Sequence, residues 1–409
     1  MSTNSFEALP LTKDDITVKI HTQQYTHSHR SISVGLVAIC VGLTCLAACG
    51  SSPDLSVAST QEALIASPNF GSPGANAFLF GNNLAIDGTT VAVGDYTTNG
   101  VGPATVHMFT RGASGAYTFQ QDITPAGNVE IGAQLGTLAL KNGVLIASDI
   151  GGGFTYVFTQ VTGVWTQQAK LQGGGKVAYN GTWLALAHGN AAVYQQGANP
   201  ASWSALVNVS ARGNTVAMTA TRMVVGDGKN SGPGMYADIY DLNATTNVWG
   251  LTQSLTPLDT SGDFFGSAVG LVGNTVIVGY AHCYNKTVQT GCAVVFNLVN
   301  NVWTQTQVLF GGSTGDQSFF GQSLAVAGTR MIVGAYGGYV GSPTGHAYTF
   351  DSNNNGQFSQ TQDLKPTNNQ AQTMRFGQFV AIESTHQFAV IGAPFYDLNK
   401  GQVYPYNLQ

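Results

Sequence analysis

The sequence predicts an all-β protein, a seven-bladed β-propeller of four-stranded antiparallel blades. Three observations lead there. The 409-residue chain is 43% apolar and 10% aromatic but only 9% charged, against roughly 25% charged in an ordinary soluble domain. It holds 52 glycines, a share nearly double the usual ~7%, as a chain of short strands and many turns requires. A Phe-Gly opening, an apolar run and a Val-Gly or Ile-Gly close also recur with a period of roughly 40–58 residues, the range of propeller blades.

The elements follow in chain order. Residues 1–30 are polar and end on the basic Arg30, and residues 31–48 carry no charge. A basic flank, an apolar stretch and a small-residue end are the layout of a secretory signal. The stretch closes on Leu46-Ala47-Ala48-Cys49, which resembles the bacterial lipoprotein lipobox. That resemblance implies a signal peptide over 1–48, diacylglycerol on the Cys49 thiol and a tether over 49–59. It also implies a membrane contact through the lipid anchor at the bacterial cell envelope, two or three acyl chains sufficing for stable anchoring. Gly50 rather than Asp after Cys49 points, within that family, to the outer membrane, on its periplasmic or surface face. The alternative is an uncleaved span, since the apolar stretch just reaches bilayer length.

Residues 60–409 form the repeat region. Residues 59–66 read as a lone outer strand with no round before it. The rounds then open at Phe80-Gly81, Leu135-Gly136, Val177, Val216, Phe265-Gly266, Phe320-Gly321 and Phe376-Gly377. Alternation, β-branched content and bracketing turns mark strands in each, and Asp87-Gly88, Asn142-Gly143 and Asn180-Gly181 read as two-residue hairpin turns. The last round ends on its third strand, at Gln402-Val403-Tyr404, so the lone strand at 59–66 is expected to complete it and close the ring. A six-bladed ring with an unpaired tail is the alternative.

The Phe-Gly opening and the Gly392-Ala393-Pro394 ending resemble the FG-GAP repeat of integrin α-subunits and many exported bacterial proteins. The likeness is strong in the rounds at Phe80, Phe265, Phe320 and Phe376 and weak in the middle three. In the integrin repeats calcium occupies a long Asp-rich loop between the first two strands. Tight hairpins such as Gly273-Asn274 and Gly328-Thr329 stand there in this chain, so calcium by that route is not expected, and no other cofactor is.

Few residues carry chemistry. Cys40 and Cys45 fall in the signal, leaving Cys283 and Cys292 in the mature body as an expected disulfide. Zinc would need four ligands, and only His282 is near. Asp351, Asn353 and Asn355 with Gly356 match the start of a calcium loop, but Gln362 stands where the bidentate Glu belongs, so a hairpin turn is the preferred reading and a weak metal site the lesser one. The histidines lie in different rounds without ligand spacing. Asp95, Tyr96, Asp149, Asp227, Tyr336, Tyr396 and Asp397 follow second strands, while Asp263 and Asp316 sit in blade-to-blade connections. Those loops share one face, where a rim of Tyr and Asp suits a protein or glycan ligand; the plainer reading is that they finish strands and turns. A net charge of −5 with no basic block gives nucleic acid no electrostatic footprint. The leading expectation is therefore a monomeric, non-enzymatic binding or adhesion module. A polysaccharide-active hydrolase or lyase using loop carboxylates and a structural envelope protein are the alternatives.

Overall fold

The computed structural model describes residues 69–408, except 75–76, 98–103, 124, 126–134, 207–211, 229–234, 313–317, 338–344, 354, 367–373 and 386. These form seven antiparallel sheets arranged as a β-propeller, at 77–123, 135–172, 176–206, 215–255, 265–309, 323–364 and 379–407, here blades one to seven. Six have four strands or their equivalent. Blade seven has three, Phe379–Ile382, Phe388–Ala393 and Gln402–Asn407.

The open edge of blade seven is met from the N-terminal side. Phe70 and Val403 exchange two backbone hydrogen bonds of 3.0 Å, and the Phe70 ring packs against Phe80, Phe109 and Tyr117 of blade one. The expected closing strand at 59–66 lies outside the described residues, as does Cys49.

Hairpin chemistry fixes the register within blades. Gly88, Gly273 and Gly328 stand first in their two-residue turns with φ of 57°, 53° and 55°, as a type II′ turn requires. The first of these turns is Gly88-Thr89, because Asp87 still pairs with Thr90, so the Asp87-Gly88 turn read from sequence shifts by one residue. Asn142-Gly143 has both φ positive, the type I′ form. Asn180-Gly181 is not a two-residue turn: Tyr179 pairs with Leu184, and the Asn180 side chain caps the wider connection by accepting from the Thr182 and Trp183 amides.

Blade three departs most from the repeat. Its middle strands form one continuous element, Trp183–Gln196, that doubles back near Gly189 (φ 73°), so that the Gln196 amide donates to Thr182 O at 2.8 Å. Its faint sequence signal matches this irregularity.

Blades stack through the Phe-Gly and Val-Gly glycines. Phe80, Phe265, Phe320 and Phe376 are fully buried, and the glycines after them have φ of 88° to 92°. Each of these glycines lays its carbonyl on the Val-Gly or Ile-Gly glycine of the preceding blade. A Cβ on Gly226, Gly279, Gly334 or Gly392 would lie 2.6, 2.0, 1.9 or 2.3 Å from the carbonyl oxygen of Gly266, Gly321, Gly377 or Gly81. The last contact, blade one on blade seven, closes the ring. Thr215, Ser267 and Ser323 donate hydroxyl hydrogen bonds to three of these carbonyls, Gly266, Gly321 and Gly377.

The inner strands add a second rule, visible once they are aligned by register. One position holds Leu84, Leu138, Val177, Val216, Val269, Leu324 and Val380; the next holds Ala85, Ala139, Ala178, Ala217, Gly270, Ala325 and Ala381. The small residue makes room for the neighbouring blade. A Cβ on Gly270 would meet Val326 Cγ2 at 2.6 Å and Leu324 Cδ2 at 2.8 Å. Such contacts build a dry, close-packed joint.

Candidate functional site

The residue before each Phe-Gly pair is left-handed. Leu79, Phe264, Phe319 and Arg375 have φ of 58°, 68°, 53° and 51°. Bulky residues occupy this region rarely and at a cost, and such strain clusters where a side chain must be aimed. Here the three in blades five to seven meet side chains that follow second strands, forming one row. Phe264 abuts His282 (ring centroids 4.4 Å), His282 abuts Phe319 (5.2 Å), and Phe319 stacks on Tyr336 (5.1 Å, 15°). The Arg375 guanidinium then bridges Tyr336 at 5.7 Å and Phe395 at 4.0 Å. All six side chains are half-buried, with accessible surface left for a partner.

The row is nearly neutral apart from Arg375. Burial pushes the His282 pKa down, with the nearby Asp263 carboxylate opposing, which favours the neutral imidazole. Tyr336 belongs to the row and also lines the central channel, a cavity of 490 Å³ walled by the inner strands of all seven blades.

Other residues of the expected rim sit elsewhere. Asp95, Asp149 and Asp227 are 4%, 2% and 7% exposed, and they occupy one register position in blades one, two and four. Asp95 lies 3.0 Å from Nε2 of the buried His107, whose Nδ1 is 2.5 Å from Asp122. Burial lowers the His107 pKa, but the two carboxylates outweigh it and the net shift is upward. Asp149 accepts the Gly152 amide at 2.8 Å. Asp227 neighbours Asp238, whose pKa burial raises, with Ser254 and Tyr240 hydrogen bonds opposing and the Asp227 charge adding to the rise. Tyr96 is half-buried against the core of blades one and two. Tyr396 is half-buried, Asp397 is exposed and paired with Lys400 at 2.8 Å, and Asp263 is exposed. Asp316 lies outside the described residues. Of the expected rim residues that are described, Tyr336 joins the row and Asp263 flanks it; Asp95, Tyr96, Asp149, Asp227, Tyr396 and Asp397 do not converge there.

The calcium-like segment carries a hairpin. Asp351 is held bidentately by Arg330 (2.6 and 2.7 Å), and Asn353 Oδ1 accepts the amides of Asn355 and Gln357. The same pair recurs in blade four as Arg222–Asp241. Among the described residues no group of three His, Cys, Asp or Glu is placed to hold a metal ion. Cys283 and Cys292 are joined in a disulfide, Cα atoms 5.7 Å apart, and both are buried.

Sequence reading missed Phe264, Phe319, Arg375 and Phe395. For Phe264, Phe319 and Arg375 the signal was present, since a bulky residue stands directly before each of the four Phe-Gly pairs; Phe395 carries no such signal.

Comparison with known proteins fits this geometry. Residues 303–350 match the FG-GAP repeat. The matched segment runs from the outer strand of blade five through the third strand of blade six, so the FG-GAP unit straddles a blade joint. No curated protein matches the chain. Among solved structures it resembles U3-55K (11% identity, TM-score 0.54, 78% of this chain and 92% of that one). It also resembles the RRP9 WD40 repeats (12%, 0.52, 83% and 100%) and Saccharomyces cerevisiae Sqt1 (11%, 0.50, 85% and 86%). At these identities the likeness is one of fold.

Proposed function

We propose that this protein is a non-enzymatic binding module that engages a protein or glycan ligand on the face carrying the Phe264–Phe395 row. The observation behind this is the row itself: six half-buried side chains over three blades, three of them aimed by left-handed backbone. Aromatic rings offer contact area at little entropic cost, and an Arg among them adds a hydrogen-bonding fork. The test is an array of glycans and envelope proteins probed with the full chain and with Tyr336→Ala and Arg375→Ala. A ligand retained equally by both variants would place binding elsewhere.

The same proposal sets the module at a bacterial envelope through a lipid on Cys49. Its support is the Leu46-Ala47-Ala48-Cys49 sequence. Cys49→Ser is expected to abolish acylation and release the protein from membranes; membrane partition unchanged by the substitution refutes the anchor.

A second reading, a polysaccharide-active hydrolase or lyase, draws on Asp227 and Asp238. Two carboxyls side by side, one of them raised by burial, are the pairing that acid–base chemistry uses. Neither residue is among those lining the central channel. Loss of a polysaccharide-cleaving activity in Asp238→Asn would favour that reading.

A further inference from the structure

The innermost strands place one charged side chain in the wall of the central channel. At the register position one step toward the Phe-Gly end from the aliphatic ring stand Asn83, Lys176, Thr215, Ser323 and Phe379. All of them line the channel, and Lys176 is the one charged residue among the channel-lining residues. Its ammonium lies 5.9 Å from the Phe379 ring centroid, linking blade three to blade seven, and it has no carboxylate partner among the described residues. By area Lys176 is half-buried, and it lines the channel.

A desolvated cation without a counter-charge is costly and is ordinarily paired or removed. Burial pushes the Lys176 pKa down, the direction an uncompensated cation gives. Directly beyond it lies the ring of Leu84, Leu138, Val177, Val216, Val269, Leu324 and Val380, so the site is charged at one level and apolar at the next. Its 490 Å³ is within the ordinary range of small-ligand sites.

We propose that the central channel binds a small monocarboxylate with an apolar body, the carboxylate on the Lys176 ammonium and the hydrocarbon against the aliphatic ring. A carboxylate supplies the missing counter-charge. The aliphatic ring gives preference to an alkyl acid over a compact inorganic anion. The site is separate from the aromatic row and does not depend on it, although Tyr336 borders both.

Isothermal titration of the full chain with octanoate, octanol and inorganic phosphate tests this. Octanoate is expected to bind with a stoichiometry of one, about tenfold or more tighter than octanol or phosphate. Lys176→Met should keep the far-ultraviolet circular dichroism of the parent and lose octanoate affinity by about tenfold or more, while Lys176→Arg retains it. Absence of octanoate binding, equal affinity for octanol, preference for phosphate, or an unchanged Lys176→Met isotherm would each overturn the assignment.

Discussion

The side-chain amide of Gln253 in blade four pairs with both backbone groups of Trp303 in blade five, donating to the carbonyl at 2.8 Å and accepting the amide at 2.9 Å. A glutamine amide thus stands in for a backbone peptide and carries one ladder rung across a blade joint. The device recurs as Gln121 on Trp165 and as Gln307 on Phe358. It explains the polar half of the Trp- or Phe-led strands, where an outer-strand Gln reaches the leading aromatic residue of the next blade.

Gln253→Ala removes two such hydrogen bonds without disturbing a core side chain. Each has a net worth of ~0.5–1.5 kcal/mol, so destabilisation of about 1–3 kcal/mol is expected in urea denaturation. Gln253→Glu keeps the acceptor but sets a carboxylate oxygen against the Trp303 carbonyl, and should cost at least as much as the alanine. A midpoint unchanged in both variants would show the joint to be held by packing alone.

The glycine-on-glycine contact is expected to be stricter. A Cβ at Gly334 would stand 1.9 Å from Gly377 O, a backbone atom that can retreat only by moving a blade. Overpacking of this kind costs ~1–3 kcal/mol and sometimes more, so Gly334→Ala should lower the melting temperature by several degrees or block folding. Gly250→Ala, on an exposed strand with open space around it, is the matched control and should be near neutral. Equal behaviour of the two would mean the joint is not close-packed.

Much of the architecture was legible in the sequence because the elements that make it are local and repeated. Phe-Gly, Val-Gly and two-residue turns each sit within a few residues, so seven rounds could be counted and the hairpins placed. The Tyr and Asp after the second strands were also visible, but their direction was not. Asp95 turns inward because His107, on the next strand and twelve residues on, offers a partner that proximity in sequence does not advertise. The row Phe264–His282–Phe319–Tyr336–Arg375–Phe395 spans three blades and more than a hundred residues, and only ring geometry brings it together. The seven small residues beside the aliphatic ring were similarly hidden, because the register that aligns them depends on bulges in the inner strands.

Two histidine–carboxylate contacts give opposite pH dependences. The His107 pKa is shifted upward in the fold, although burial acts against it, because Asp95 and Asp122 favour the imidazolium. Its stabilisation is therefore fully present below the unfolded value near ~6.5 and is lost as pH rises through the folded value. The Asp363 pKa is shifted downward: burial opposes, and hydrogen bonds and charge from His346 and Lys365 prevail. That contribution is present above the unfolded carboxyl value near ~3.9 and is lost as pH falls through the folded one. Denaturation of His107→Gln against the parent should show a stability gap that narrows from pH 6 to alkaline pH, and for Asp363→Asn one that narrows toward acid. Gaps that do not vary with pH would remove both ion pairs from the account of stability.

The Cys283–Cys292 bond joins the ends of a polar excursion that contains its own small hairpin, Tyr284–Asn285 against Val288–Gln289. The connection closes Tyr280 of one strand onto Cys292 of its antiparallel neighbour, so the register already holds the two ends together. On the chain-entropy model a loop this short contributes roughly 2–3 kcal/mol. Both cysteines also pack in the blade-five core with Phe265, Val278 and Tyr280, so their side chains matter beyond the bond. Reduction alone and the Cys283→Ala, Cys292→Ala double variant therefore separate two effects. Reduction should cost the loop-closure contribution while leaving the sulfur atoms in place. The double variant should cost more, because it also opens a small void. In both cases the propeller should remain folded, with its circular dichroism intact, since the ring is joined by glycine contacts and outer-strand glutamines elsewhere. Increased protease cleavage within 284–291, at unchanged far-ultraviolet signal, is the expected signature of losing the bond. Global unfolding on reduction would instead make the disulfide a condition of the fold, and two free thiols in protein recovered under non-reducing conditions would remove it altogether.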